Sequence, residues 1–485
     1  MSELLIAFGI LALLLTLSAL VSRVVELAPI SFPIIFLSLG IILGPYGFGL
    51  IAADIHSPVL EAIALPTLAL VLFLDALKLR FDEGREAWLV PALILGPGTL
   101  LIVLLVAAAA RGILGLPVAQ ALLVGAILAS TDPVALRDIV RNEHIPRSIR
   151  RILSIEAGTN DLVVLPIVLV LIAVAQANTR GPEDWAVLLT KLFLVGPIVG
   201  FAIGALGAWL MSKADARMGI RREYQALYGL GLVLAAFVAG ETLGVDGFLA
   251  AFAAGFAASV LDYELCDCFL EYGETTAEMA MLLSFILFGA VLSTSIGSGA
   301  VVPGLLLAAL ALFIIRPLSL GVVLLGASMS KDARAFIGWF GPRGLSSLLL
   351  VLLAVRGGVP EAEGLLASVG VVVLVSVVLH GVSATPLSSW YARRVAETTL
   401  EEERTPTAGG LFGETTGDVP RITVEQLAHA MTSYTPPIIL DVRTRSSYQE
   451  DTRGIPGSQR VLPDQIREWM AQHEPDGRMV VLYCA

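Results

Sequence analysis

Residues 130–133 read Ser130-Thr131-Asp132-Pro133, and residues 156–161 read Glu156-Ala157-Gly158-Thr159-Asn160-Asp161; both stretches are walled in by Leu, Val and Ile. Carboxylates inside long apolar runs are expensive, and they usually mark an ion path. Pro133 matters as much as the acid beside it. It has no backbone N–H, which leaves carbonyls upstream of it without helical partners and free to coordinate a cation. Together the two stretches describe a cation site.

The surroundings make that site intramembrane. Of 485 residues, 56% are hydrophobic, and apolar runs of helix-spanning length recur from Leu4 to Tyr391. About thirteen spans are predicted, roughly at 2–22, 29–51, 61–77, 88–110, 118–140, 151–175, 186–212, 222–241, 244–261, 275–296, 300–328, 333–356 and 366–391. The first run carries Glu3 in place of a basic start and has no small-residue cleavage pattern before Arg23. It is therefore expected to remain as a helix and not to be removed as a signal peptide.

Loop charges set the expected orientation, because Lys and Arg are retained on the cytoplasmic side. One set of alternate loops carries Arg23, then Lys78, Arg80 and Arg85, five arginines from Arg137 to Arg151, and further groups near 213–222, 331–334 and 393–394. The other set offers only Arg111, Arg180 and Arg356. With an odd number of spans this places the N-terminus outside and everything after Tyr391 inside, in a plasma (inner) membrane. One inside loop breaks the pattern: Asp262, Glu264, Asp267, Glu271, Glu274 and Glu278 cluster without a Lys or Arg among them. It reads either as a cation-attracting funnel or as a solvated acidic face. Cys266 and Cys268 in that loop lack the two-residue gap of a zinc or redox pair, so two free thiols are expected on the reducing cytosolic side.

Composition changes after Arg394. Residues 1–394 form the membrane domain, 395–420 a Thr/Glu/Gly-rich linker that buries nothing, and 421–485 a small soluble domain. In the last of these, Val424 opens a short helix, Ile438 to Val442 is a buried strand, Gln465 to Ala471 a second helix and Met479 to Tyr483 a second strand. Strands alternating with helices predict a parallel α/β sheet. The formal net charge of -11 argues against nucleic acid as a partner.

The membrane part resembles the monovalent cation/proton antiporters of the NhaP type, the family of the sodium/proton exchangers. The resemblance rests on Thr131-Asp132-Pro133, on Glu156-x-x-x-Asn160-Asp161, on Arg316-Pro317, on Gly341-Pro342-Arg343-Gly344, and on Leu379-His380-Gly381 with Pro386 after it. These five elements fall in the family's order and cover most of residues 1 to 391. The resemblance implies an all-α polytopic membrane protein with inverted repeats and two broken, crossing helices, the second being the run from Gly338 to Gly344. It implies that Asp161 alternately holds the proton and the cation with Asp132 as its partner, that Thr131, Asn160 and Glu156 stand around the ion, and that Glu156 and Arg343 form a structural ion bridge. It also implies a homodimer. Arg316 is expected to cap a broken helix end, since a cation stabilises a helix C-terminus. His380 reads as a hydrogen-bonded histidine more readily than as a pH sensor.

The implied activity is secondary active transport, not enzyme catalysis. A monovalent cation and H+ exchange 1:1 without net charge, because Asn160 stands where charge-moving relatives carry a second aspartate. No cofactor is implied; the cargo is Na+, Li+ or K+ and H+, with Na+ or Li+ favoured. K+/H+ exchange is the alternative, because Ala157 replaces a commonly ligating serine and Asp246 also departs from a usual serine. A channel or sensor signalling through the tail is the second alternative. The tail resembles the first half to two-thirds of a rhodanese-like domain through Leu440-Asp441-Val442-Arg443, Tyr448, Ile455-Pro456-Gly457-Ser458 and Val480 to Cys484. Cys484 occupies the rhodanese-type cysteine position. Only Ala485 comes after it, and Gly454 replaces the histidine common before the Ile-Pro-Gly turn, so an active sulfurtransferase is not expected in the chain as given.

Overall fold

The structure is a computed structural model. It describes residues 32–51, 54–79, 89–133, 136–142, 144–176, 181–261, 267–294, 299–327, 329–397, 422–433, 435–443, 453–473 and 478–483, with a few isolated positions besides. The expected first span, the linker, Cys266 with the side chain of Cys268, and Cys484 lie outside the described residues, as do Asp262 and Glu264.

The described membrane part is helical apart from its loops and two interior breaks, as suits a medium with no water to satisfy backbone groups. Helix α1 covers Phe32–Leu43, α2 Pro58–Leu77, α3 Leu89–Leu114, α4 Val118–Ala129, α5 Arg137–Arg141, α6 Arg147–Ala175 and α7 Pro182–Met218. Then come α8 Arg222–Thr242, α9 Gly247–Val260, α10 Asp267–Ser293, α11 Val301–Val323, α12 Lys331–Trp339, α13 Leu345–Arg356 and α14 Ala362–Glu397. Among the described residues eight helices are long and apolar enough to cross a membrane, and α1, α4, α9 and α13 are shorter apolar helices. Helix stands within each expected run from 29–51 to 366–391.

Small residues let these helices approach closely. A Cβ added at Gly200 or Gly204 of α7 would fall 2.0 or 2.2 Å from the carbonyl oxygen of Ala250 or Ala254 on α9. Lipid-embedded helices associate by such packing, since lipid tails remove the hydrophobic incentive to pair. Three helices also contain a wide π-turn: α3 at Ile94–Gly98, α7 at Lys191–Val195 and α11 at Ala311–Ile315. Each lies at a proline, Pro97 within the first and Pro197 and Pro317 just after the others. The wider turn absorbs the missing N–H and resets the helical phase of the residues beyond it.

Two helices are broken, and the breaks meet. Helix α4 stops at Ala129 because Ser130 is extended (φ -58, ψ 140), and helix resumes only at α5. Helix α12 stops at Trp339 and α13 begins at Leu345, with extended chain between. At the crossing the Asp132 N–H donates to the Pro342 carbonyl at 2.9 Å, and the Ser347 hydroxyl donates to the Ile127 carbonyl at 3.0 Å. The Gly- and Pro-interrupted run expected from Gly338 to Gly344 is therefore the break itself.

The tail has the expected parallel α/β form. Strands β1 (Ile438–Asp441), β2 (Gln459–Arg460) and β3 (Val480–Tyr483) make a parallel sheet in the order β2-β1-β3, with Leu440 opposite both Gln459 and Leu482. Helices α15 (Val424–Met431) and α16 (Ile466–Gln472) accompany it, and Leu440, Val461 and Trp469 form its core. Arg443 donates to both Asp441 oxygens, at 2.9 and 2.6 Å, and holds that carboxyl at a pKa of about 2.

Candidate ion-exchange site

Every helix end exposed by a break inside the membrane needs a partner of opposite charge. The C-terminal ends of α4 and α12 and the N-terminal end of α13 all converge on the crossing. Arg343 Nη1 donates to the Ala129 and Ser130 carbonyls at 3.2 and 3.0 Å, covering the end of α4. Arg316 Nη2 donates to the Ile337 and Phe340 carbonyls at 3.3 and 2.9 Å, covering the end of α12, which is the capping role expected of it. The Leu345 N–H at the start of α13 donates to Asp132 Oδ2 at 2.9 Å. Gly344 makes room for that carboxylate, since a Cβ there would sit 1.8 Å from Asp132 Oδ2. Gly341 does the same for the Arg316 guanidinium, whose Cζ lies 1.9 Å from where a Cβ would be.

Asp161, on the unbroken helix α6, faces this crossing. The Ser130 hydroxyl donates to Asp161 Oδ1 at 2.6 Å, and Ser346 and Asp132 lie within interaction range of the same carboxylate. All of these side chains are buried: Asp132 is 3% exposed, Asp161 6% and Ser130 0%. Thr131 Oγ1 and Asn160 Oδ1, on residues next to these in the chain, are buried and take no hydrogen bond from the described residues. The structure thus brings Asp132, Asp161 and Ser130 together.

The expected ion bridge needs correction. Glu156 pairs with Arg316 and not with Arg343: Arg316 Nη1 donates to Glu156 Oε1 at 2.7 Å and Nη2 to Oε2 at 3.1 Å, both side chains being almost fully buried. The reason is local. The π-turn just before Arg316 turns its side chain toward α6, while Arg343 is pinned by its own N–H to Ser376 Oγ at 2.7 Å and directs its guanidinium to the α4 carbonyls. Both Glu156 oxygens accept from that guanidinium of Arg316. Thr159 supplies no replacement for the missing serine hydroxyl, because its Oγ1 donates to the Ile155 carbonyl of its own helix at 2.6 Å.

His380 is buried and hydrogen-bonded, as expected. Its Nε2 lies 2.9 Å from the Trp339 carbonyl, and its Nδ1 lies 2.8 Å from the Ser376 carbonyl and 3.2 Å from the Ser376 hydroxyl that receives the Arg343 N–H. The chain from Arg343 through Ser376 and His380 to Trp339 clips together the two sides of the α12–α13 break. The sequence does not single out Ser130 and Ser346 for the ion site. For Ser130 the available signal is its place directly before Thr131-Asp132-Pro133; Ser346 carries none beyond standing two residues after Gly344.

A buried carboxylate pair with hydroxyls beside it has the chemistry to take one monovalent cation or a proton. The fold around it is that of a membrane protein built on crossed broken helices. Residues 10–390 match the family described as "Sodium/hydrogen exchanger, transmembrane", and the chain belongs to that family of cation/proton antiporters. It is 26% identical over 405 residues to the K(+)/H(+) antiporter NhaP of Alkalimonas amylolytica, covering 83% of this chain and 69% of the relative. It is 29% identical over 406 residues to the K(+)/H(+) antiporter NhaP2 of Shewanella sp. strain ANA-3, covering 82% and 68%. Among solved structures it resembles the sodium proton antiporter MjNhaP1 from Methanocaldococcus jannaschii, with a TM-score of 0.66, 21% identity and coverage of 78% of this chain and 99% of that one.

Proposed function

We propose that the protein exchanges one monovalent cation for one proton across the inner membrane, both competing for Asp161 with Asp132 as partner. The observation that supports this reading most directly is the convergence of Asp161, Ser130 and Asp132 on the meeting point of the two breaks. A bound cation favours the ionised carboxylate and expels its proton, whereas protonation removes the charge that holds the cation. If the site changes sides only when occupied by one or the other, that competition is already obligatory exchange.

Potassium is the cargo we favour. Ala157 offers no hydroxyl and Thr159 is turned back onto its helix, which loosens the shell, and a larger, more easily dehydrated ion tolerates a looser shell. Two relatives named as K(+)/H(+) antiporters agree with this. Sodium is the second reading, favoured by the family as a whole. Reconstitution in liposomes with potassium, sodium and lithium offered in turn tests both, the readout being cation-dependent proton flux. Flux of cation without stoichiometric proton movement would instead mean a channel or sensor.

The remaining assignments belong to the same proposal: about thirteen crossings, the N-terminus outside, the tail cytoplasmic and rhodanese-like, and a homodimer. The parallel sheet and the Asp441–Arg443 pair support the tail reading.

A further inference from the structure

A cavity of about 280 Å³ lies next to the proposed ion site. Its lining includes Pro133, beside Asp132, and Ala157, one helical turn before Asp161, together with Asp75 and Lys78 on and just after α2, and Glu274 on α10. Lys78 and Arg141 in that lining belong to the basic loops, which the proposed orientation puts in the cytosol. Asp75 is only 8% exposed, yet it lies within electrostatic reach of both Asp132 and Asp161. Lys78 is half-exposed at the mouth, its ammonium 3.1 Å from Glu274 Oε1 and 3.9 Å from Asp75 Oδ1. Arg141 also lines the cavity and is exposed to solvent, where water and salt screen it.

We propose that Lys78 is a tethered cation that occupies the vestibule mouth in place of the transported ion and thereby sets the apparent affinity of that face. The physical argument is competition for the same charge. Asp75 and Glu274 form the acidic lining that an entering cation meets first, and a cleft with low-dielectric walls focuses such a field. An ammonium on a flexible four-carbon stem neutralises both carboxylates yet swings aside easily, because it is a hydrated point charge without the fixed fork of a guanidinium. The entering ion therefore displaces Lys78 from Asp75 and Glu274 before it reaches Asp132 and Asp161. Neither Lys78 nor Asp75 has a role in the exchange chemistry proposed above; the inference rests on that reading only for its choice of a monovalent cation as cargo.

The test compares Lys78→Gln with Lys78→Arg. In vesicles of defined orientation, Lys78→Gln is expected to lower the apparent KM for the cation roughly tenfold, the lower end of what focused fields achieve, on the face where the vestibule opens. On the opposite face KM stays as in the wild type, and Lys78→Arg, which keeps the tethered charge, does not lower KM on either face. A second readout needs no transport: the potassium or sodium concentration that half-maximally raises thermal stability in detergent, against N-methylglucamine, falls by the same factor in Lys78→Gln. If Lys78→Gln does not reach the membrane, Lys78→Met, which keeps the aliphatic stem, carries the same expectation. Unchanged or raised KM and binding midpoint in the neutral variants, or Lys78→Arg matching Lys78→Gln, overturns the inference. A lowered binding midpoint in a protein without cation-coupled proton flux upholds it and overturns the antiport reading instead.

Discussion

In the proposed cycle Asp161 carries the exchange chemistry through one titratable group, so Asp161→Asn removes proton binding and cation charge together. The variant keeps the shape that Ser130 bonds to, and it is expected to insert and fold normally while showing no cation-dependent proton release in liposomes; ordinary release would reassign the site. Glu156 and Arg316 make a different kind of pair. Their two side chains are 2% and 1% exposed and joined by two hydrogen bonds, and removing one partner of such a pair strands a charge at a cost of about 3–5 kcal/mol. Glu156→Gln and Arg316→Gln are each expected to lose stability on that scale. The double variant is expected to recover much of the loss, because it strands nothing. Thermal unfolding of the four proteins in detergent measures the coupling, and strictly additive losses would show the bridge contributes nothing as a pair. The Glu156→Gln, Arg343→Gln combination is expected to recover much less, since Arg343 bonds the Ala129 and Ser130 carbonyls and meets Glu156 only electrostatically.

At the scale of the helix, the breaks in α4–α5 and α12–α13 are supported where the ends of α4 and α12 and the start of α13 each meet a charge of the right sign. Gly344 is the residue that lets one of those charges in. Gly344→Ala places a methyl 1.8 Å from Asp132 Oδ2, so the carboxylate must leave the Leu345 N–H. The buried donor left behind costs roughly 1–3 kcal/mol, and the displaced Asp132 should raise the cation KM at the same time. Wild-type stability and KM in Gly344→Ala would show that Asp132 does not cap α13. Both breaks were legible in sequence, because a proline after an acid and a Gly-Pro-Arg-Gly run inside apolar spans leave few other structures open. The partner of Glu156 was not. Arg316 and Arg343 are both guanidinium groups at membrane depth, and a π-turn at Ala311–Ile315 changes the phase from which a 3.6-residue period would place Arg316. Ser130 and Ser346 were missed for another reason: a hydroxyl in a small-residue stretch looks the same whether it packs a helix or bonds Asp161. Lys78, likewise, reads only as a basic loop residue until α10 brings Glu274 beside it.

For the whole molecule the decisive quantity is the charge moved per cycle, and it is set by how many buried acids are free to change protonation with the ion. Asn160 stands beside Asp161 and carries no charge. Glu156 is held by Arg316 through both oxygens. Asp246 accepts the Leu249 N–H at 2.8 Å as the N-cap of α9, a helix that packs on α7 and takes no part in the crossing. Asp132 at the crossing is held on the Leu345 N–H; in the proposed cycle Asp161 is then the one exchangeable carboxylate there, trading one proton for one monovalent cation, and each turnover is expected to move no net charge. Exchange driven by an imposed pH gradient is therefore expected to be indifferent to membrane potential. Clamping the potential, with a potassium-selective ionophore in sodium-driven assays or with thiocyanate when potassium drives, accelerates an electrogenic exchanger and should leave this one unchanged. A clear stimulation, or a current on a solid-supported membrane sustained through turnover, would mean that a second acid carries a proton. The structure then points to Asp75, the buried carboxylate of the vestibule with Lys78 beside it, and Asp75→Asn should abolish that current while sparing some exchange. Asn160→Asp alone is not expected to create a current, because an added acid needs its own partner before it can titrate within the cycle.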